Sequence, residues 1–548
     1  MTRMAEPTER RASRTARADV RKHRRGRVLV PLWAGVPVAV LAGIALWLAY
    51  PATGWWPLLF VGIALSLLSL IGRSAGGAFL VGLATGAALY FPLVEWAARY
   101  LGPLPWIALA ALESLLWAGG SILVVWAWRF SIRVFRRAPT PALVTLTASA
   151  VAAAWMLREL VLGSFPYSGF PWARVGMALS ESPLARLASW TSVTGLGFIV
   201  VFAVAALVGW LLLRRGRPVS ASVPALIAII VLATLPAFPT TPAGTYRVGA
   251  VQGDGPTGYF DERAQNDVLR AQVNASAPLA GQGVQLVLWP EGGIDSDPTH
   301  RTATAATLDA LSRALDAPLL VNAATARGDR YFNTSMLWQD GADNPLQIHD
   351  KREPVPFGEY VPDRSFFRAF APDLIDLIQR EYTHGTNAPL MNVDGVRVGL
   401  AICFDVIYDD VIWEGARGGA EFYAFQTNNA DFRGTAENQQ QLAFARMRAI
   451  ETGRTVINLS TVGESQVIAP DGATLQSIPI DEPGAMIVDV ELRTGLTPAV
   501  LVGPGVNAVL LWGSALALLV LAGFARRAAR RDDEAPDASP TTNGAPTA

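Results

Sequence analysis

The chain holds one cysteine, Cys403, and only two lysines, Lys22 and Lys351, beside 43 arginines. Cys403 follows Val398-Gly399-Leu400-Ala401-Ile402, an apolar run that reads as a buried strand, and precedes Phe404-Asp405 and then Asp409-Asp410. Strand ends are where α/β folds hold their sites, although most free cysteines are simply small buried hydrophobes. As a nucleophile the thiol needs a base or a positive field. Glu291 leaves a second apolar run, Val284 to Pro290, and Lys351 leaves a third, ending Ile348-His349-Asp350. A carboxylate could take the thiol proton. A compact ammonium could hold a developing oxyanion, a task that the wide fork of arginine fits poorly. Singly, Glu291 reads as a solvated acid and Lys351 as a surface charge. Together, with lysine so scarce, they read as one site.

Other chemistries find less support. The four histidines, His23, His300, His349 and His384, stand in no cysteine-protease context, with His349 kept open as a helper because it lies two residues from Lys351. One cysteine and scattered histidines give no zinc spacing, and no glycine-rich phosphate loop occurs. Neither a metal nor a cofactor is expected.

The elements that must position these residues alternate. Strands are expected at 246–252, 284–289, 318–322, 332–338, 344–349, 397–402, 421–426, 455–459, 465–469 and 485–490. Helices are expected at about 261–276, 303–315 and 436–452. This is the pattern of a layered α/β domain. No internal repeat suggests a solenoid.

The remainder of the chain is of another kind. Its 548 residues are 51% hydrophobic and 16% charged, with a mean hydropathy of +0.30. Average soluble domains are about 25% charged, so a wholly soluble protein is disfavoured. Zero net charge hides an asymmetry: 22 basic against 7 acidic residues over 1–245, and 19 against 34 over 246–495. Seven apolar segments, at about 28–50, 57–72, 76–98, 104–128, 141–163, 186–213 and 219–238, precede the acidic part, and an eighth, 506–525, follows it. Arginines cluster at 10–27, at Arg73, at 129–137, at 214–217 and at 526–531, all on one side of an eight-span topology. The positive-inside rule puts that side, and both termini, in the cytoplasm. The acidic domain is then extracytoplasmic. Basicity therefore argues for a bilayer and not for nucleic acid. Glu95 and Glu113 fall inside apolar segments, as functional groups or as a snorkelling and a protonated acid. Phe165-Pro166-Tyr167 and Gly169-Phe170-Pro171-Trp172 suit a loop at headgroup level.

At Trp289-Pro290-Glu291, Lys351 and Ile402-Cys403-Phe404-Asp405 the sequence resembles the nitrilase, or carbon–nitrogen hydrolase, superfamily, whose mark is a Glu-Lys-Cys triad on an αββα sandwich. With the spans, with Pro354 to Glu359 after Lys351, with Ala445-Arg446-Met447-Arg448-Ala449 and with Gly169 to Trp172, the whole chain resembles the bacterial apolipoprotein N-acyltransferase family. The resemblance implies a multi-span α-helical membrane domain of about eight helices carrying an extracytoplasmic α/β nitrilase-like domain. Its parts would be a basic cytoplasmic segment 1–27, membrane domain 28–238, catalytic domain 246–492, a last span 506–525 and a disordered cytoplasmic tail 526–548.

The resemblance also implies roles. Cys403 would be the nucleophile and Glu291 the proton acceptor and donor. Lys351, with the backbone N–H of Phe404, would hold the oxyanion. Glu359 and Asp405 would support the site, and Asn428 and Phe432 are candidates for substrate contact. The acyl donor would be a membrane phospholipid and the acceptor the α-amino group of a diacylated lipoprotein, in the last step of bacterial lipoprotein maturation at the inner membrane. Phe404-Asp405 departs from the Tyr-Glu common in that family, and Asn428-Asn429-Ala430-Asp431-Phe432 from its Asn-Asp-Ala-Trp-Phe. A membrane-anchored amidase using water is the enzymatic alternative, and a membrane scaffold with an inactive domain is the third.

Overall fold

The computed structural model describes residues 28–213 and 234–534. Leu32–Ala49 (α1), Pro57–Leu70 (α2), Ala75–Leu93 (α3), Pro103–Val134 (α4), Thr140–Leu162 (α5) and Ala188–Leu213 (α6) form a bundle in which consecutive long helices pack side by side. Glycines let them approach closely. A Cβ at Gly82 would strike Ser121 across the α3–α4 contact, and one at Gly120 would strike the Arg158 stem across α4–α5. Glu95 lies past the end of α3 and is exposed, which is the snorkelling position, whereas Glu113 is buried in mid-α4. Of the expected seventh span, 219–233 lies outside the described residues and 234–238 is not helical. The basic segment 1–27, Arg214 to Arg217 and the tail from residue 535 also lie outside them.

The α/β domain begins at Thr241, five residues before the expected start. Its strands are Thr241–Gln252 (β1), Leu286–Leu288 (β2), Leu319–Arg327 (β3), Arg330–Trp338 (β4), Gln347–Asp350 (β5), Leu390–Val393 (β6), Val396–Ile402 (β7), Phe422–Thr427 (β8), Val456–Ser460 (β9), Ser465–Ile468 (β10), Thr474–Ile478 (β11) and Gly484–Thr494 (β12). They form two six-stranded sheets, ordered β12-β1-β2-β3-β4-β5 and β11-β10-β9-β8-β7-β6. β1-β2-β3 and β7-β8-β9 pair in parallel and the outer strands antiparallel. Val248, Leu288, Leu400, Phe422 and Ile457 fill the layer between the sheets. Asp267–Ser276 (α7) and Thr302–Leu315 (α8) cover the first sheet, and Asp409–Arg417 (α9) and Glu437–Thr452 (α10) cover the second. This is the expected αββα sandwich.

The last helix (α11) runs Pro498–Ala508, passes one π turn at Val509–Gly513, and continues as Ser514–Glu534. It is longer than the expected 506–525 at both ends. Thr497 caps its start, its hydroxyl accepting from Val500 N at 3.3 Å, and arginines at 526–531 complement its C-terminal dipole. Six described segments are long and apolar enough to cross a membrane: α1, α3, α4, α5, Pro183–Leu213 and Pro498–Arg531; α2 is apolar but shorter.

The bundle and the sandwich share one hydrophobic core. Ala401, Phe404, Phe425 and Phe444 belong to the same buried cluster as Tyr90, Trp117 and Trp155 of the bundle. A charged relay crosses the junction. Arg174, in the loop after α5, pairs with Asp409 at 2.5 Å; Asp409 pairs with Arg448 at 2.7 Å; Arg448 pairs with Glu451 at 2.6 Å. Glu451 then accepts the Val193 N–H at 3.1 Å. Ser192, at φ 66°, breaks the helix there and caps the new start through Gly195 N at 3.3 Å. A carboxylate at a helix N-terminus is a favourable charge–dipole contact. The two arginines hold Asp409 well below the usual carboxylate range against the opposing effect of burial.

Candidate active site

β2, β5, β7, β8 and β9 all end on one side of the sandwich, and the residues just past these ends build the site. Trp289-Pro290 carry Glu291 past β2; Lys351 is the first residue after β5; Cys403 is the first after β7. Lys351 is 1% exposed and Glu291 8%, so neither is a surface charge. Lys351 Nζ lies 3.2 Å from Glu291 Oε1 and 2.8 Å from Glu359 Oε2. Asn333, on β4, donates to Glu291 Oε1 at 2.7 Å and to Glu359 Oε1 at 3.1 Å. Its own carbonyl accepts the Lys351 N–H at 2.9 Å, so β4–β5 pairing sets the amide beside the ammonium. Glu359 Oε2 also accepts from Val355 N at 2.7 Å, which folds the Pro354–Glu359 turn back onto the lysine.

Cys403 is half-buried and adopts φ 49°, a left-handed turn that a non-glycine residue enters only when its surroundings hold it there. Asp405 supplies the hold. It is fully buried and accepts from Ile402 N at 3.1 Å, Glu353 N at 2.8 Å and Arg352 N at 3.4 Å. The shorter side chain therefore ties the lysine segment to the cysteine turn. Burial pushes Asp405 up to about 7, against the opposing pull of Lys351 and of these N–H donors. Phe404 turns its ring away, toward Phe170 at 6.2 Å and Tyr408 at 5.4 Å.

The electrostatics favour one proton position over another. Burial pushes the Cys403 thiol well up, Glu291 adds to this, Lys351 opposes it, and Glu437 and Glu359 add to it. Burial raises Glu291 too, against Lys351. Lys351 stays protonated because Glu291 and Glu359 outweigh its desolvation. With both glutamates ionised the cluster carries one excess negative charge. Losing the thiol proton to water would add a second. Passing it to Glu291 leaves the total unchanged, so the geometry suits general-base activation and not a standing thiolate.

Other candidates fall in different places. Asn428 is held by Thr257, Thr461 and Ala430, its Oδ1 accepting at 3.2, 2.7 and 3.0 Å. Phe432 stands edge-on to Trp96 at 5.2 Å, at the junction with the bundle. Asp431 Oδ1 accepts from Tyr259 N at 2.7 Å. His349 is buried and bonded to Ala388 O at 3.1 Å, with its pKa lowered to about 4 by that burial. His384 is exposed and bonded to Arg352 O. Among the described residues no three His, Cys, Asp or Glu side chains gather as a metal site. Sequence reading missed Asn333, Asn429, Glu437 and Gln441. The polar run 437–441, opening a helix that is otherwise largely apolar and buried, was the available signal for the last two.

The site faces the bundle. Trp96 and Trp172 both donate their indole N–H to Gln440 Oε1, at 3.1 and 2.7 Å, and Gln440 Nε2 donates to Leu93 O at the end of α3. Phe170 stacks on Trp172 with centroids 5.5 Å apart. The aromatic loop after α5 thus lies directly under the cysteine turn.

Comparison with known proteins covers both parts. The family model described as apolipoprotein N-acyltransferase N-terminal domain matches residues 42–207, and the carbon-nitrogen hydrolase model matches 247–495. An apolipoprotein N-acyltransferase of Mycolicibacterium smegmatis is 32% identical over 91% of this chain and 87% of its own. Those of Azotobacter vinelandii and Pseudomonas aeruginosa are 30% and 29% identical, each over 85% of this chain and over 91% and 92% of their own. Among solved structures, a Nesterenkonia AN1 amidase from the nitrilase superfamily aligns with 46% of this chain and 93% of its own at 19% identity, with a TM-score of 0.32. With both the bundle and the sandwich matched in one chain, this protein belongs to the apolipoprotein N-acyltransferase family, a membrane branch of the carbon–nitrogen hydrolases.

Proposed function

We propose that the chain moves an acyl group from a membrane phospholipid to the α-amino group of a lipoprotein's S-diacylglyceryl-cysteine, through a thioester on Cys403. The observation that carries this reading is the Glu291–Lys351–Glu359 cluster beside a cysteine turn that rests on the bundle's aromatic loop. In the first half, Glu291 takes the thiol proton as Sγ attacks the ester carbonyl. Lys351 and the Phe404 N–H face the oxyanion. Collapse expels the lysophospholipid alkoxide, which takes the proton from Glu291. In the second half, the neutral amine attacks the thioester, Glu291 accepts its proton, and the departing sulfur recovers it.

A bilayer-anchored site suits two lipid-anchored substrates, since it confines their encounter to the membrane surface. By the positive-inside rule the sandwich lies outside the cytoplasm. It docks at the Leu93 end of α3, and Arg73 precedes the other end, about 28 Å away at 1.5 Å per residue. Arg129 donates to Arg73 O, which gathers basic residues at that far end.

Purified protein incubated with phosphatidylethanolamine and a diacylated lipopeptide should yield N-acylated peptide and lysophospholipid. Mass spectrometry without acceptor should find an acyl adduct on Cys403. Cys403→Ser and Cys403→Ala should abolish both. Full transfer by Cys403→Ala, or free fatty acid as the sole product, would defeat the reading; the latter would favour water as acceptor.

A further inference from the structure

Behind the sulfur lies a chain of hydrogen bonds whose direction is fixed by backbone donors at its far end. The Gly463 N–H donates to Ser460 Oγ at 2.8 Å. The Ser460 hydroxyl therefore points its proton at Asn429 Oδ1, 2.6 Å away. The Glu464 N–H donates to Asn438 Oδ1 at 3.1 Å, so Asn438 presents its NH2 to the same Asn429 oxygen, at 3.2 Å. Two independent donors thus settle which end of the Asn429 amide is oxygen. Its NH2 must face the other way, where it donates to Gln441 Oε1 at 3.0 Å and to Glu437 Oε2 at 2.6 Å. Gln441, with its oxygen engaged, must turn its own NH2 outward, and that group lies 3.5 Å from Cys403 Sγ. Asn429 and Gln441 are each 2% exposed and Ser460 is fully buried, so water does not compete for these bonds.

We propose that Gln441 is the hydrogen-bond donor that receives negative charge on the Cys403 sulfur, and that Asn429 and Ser460 are positioning residues that hold its amide in the donating orientation. The inference deepens the proposed function and rests on Cys403 being its nucleophile. The carboxyls of Glu291, Glu359 and Glu437 and the ammonium of Lys351 face the sulfur, and only Lys351 among them stabilises a thiolate. A second, neutral donor at 3.5 Å is therefore of use at the moment the thiol proton leaves and again when the thioester releases sulfur. Glu437 supports the arrangement in its neutral form: burial pushes it up to about 8, so at neutral pH it adds little negative charge beside the sulfur. A chain of aligned donors also polarises along its length, which strengthens its last bond.

Cys403 is the only cysteine, so alkylation of the purified full chain by iodoacetamide reports on this sulfur alone. Gln441→Leu removes the donor, and Gln441→Met keeps the length of the side chain while offering no N–H. Both should slow alkylation at pH 7 by about tenfold, the weight of one buried hydrogen bond to charge, and move its midpoint to higher pH. Ser460→Ala should shift it in the same direction by less, and Ser460→Thr should restore it. N-acyl transfer should lose kcat with KM little changed. If the two Gln441 variants, and Ser460→Ala, are monodisperse and alkylate within twofold of the unaltered protein, the proposal is overturned even where acyl transfer falls, because their role is then structural. Retained transfer by Cys403→Ser would instead remove the nucleophile assignment itself.

Discussion

Two carboxylates share the fully buried Lys351 ammonium, and this decides what the position tolerates. Arginine would keep the charge but bring a planar fork of five donors into space shaped for one compact group. Lys351→Arg should therefore remain folded and lose kcat by about 10²–10³-fold, the cost of one misplaced oxyanion donor, in initial-rate assays of N-acylation. The same cluster sets a pH limb. Glu291 acts as base only when ionised, and burial and Glu359 raise its pKa, so kcat/KM should rise with pH through a value above the ordinary carboxylate range. Glu359→Gln removes the like charge. The limb should then move to lower pH even though the rate drops, and a limb that stays in place would show that Glu359 acts by geometry alone. Cys403, Glu291 and Lys351 were legible because each is a chemically distinctive residue at the end of an apolar run. Asn333 and Gln441 were not, because an amide acquires meaning only from its partners, and theirs lie 42 and 38 residues away in the chain.

At the scale of elements, β6 and β11 escaped sequence reading for a shared reason. Both are short outer strands: β6 alternates over only four residues, burying Met391 and Val393 around exposed Asn392, and β11 leaves four of its five side chains in solvent. The segment after Cys403 reads as two aspartates, Asp409 and Asp410, yet it is the start of α9, which buries Val411, Ile412 and Trp413. Asp409 is there to be paired: Arg174 and Arg448 hold it, and Asn507 of α11 donates to it at 3.2 Å. Removing its charge leaves two buried guanidinium groups facing each other across the junction. Asp409→Asn should cost about 3–5 kcal/mol, as broken buried ion pairs do. Thermal unfolding in detergent should show this as a lowered midpoint. Asp410→Asn, on the neighbouring and exposed position, should unfold within about 0.5 kcal/mol of the unaltered chain. Equal midpoints for both variants would mean that the relay holds nothing together.

For the whole molecule, the shared core means that neither part is complete alone. α9 and α10 bury their apolar faces against a cluster that continues into α3, α4 and α5, so a fragment of residues 239–495 should aggregate where the intact chain is monodisperse. Size-exclusion chromatography of the two separates these outcomes. The membrane pattern was readable because hydropathy and arginine placement act over whole segments, whereas the docking of sandwich on bundle depends on Gln440, Arg174 and Phe170 meeting partners more than two hundred residues distant. That docking also makes sidedness testable with one residue. Asp343 is exposed, in the loop between β4 and β5 and remote in the sequence from every span. In a Cys403→Ser background, Asp343→Cys would carry the sole thiol. A membrane-impermeant maleimide should label it in intact spheroplasts, because the sandwich docks at the end of the bundle away from Arg73 and Arg129, and basic residues are retained on the cytoplasmic side. Labelling only after lysis would place the sandwich in the cytoplasm. The site would then meet the inner leaflet, and lipoprotein N-termini already carried across the membrane could not be its acceptors.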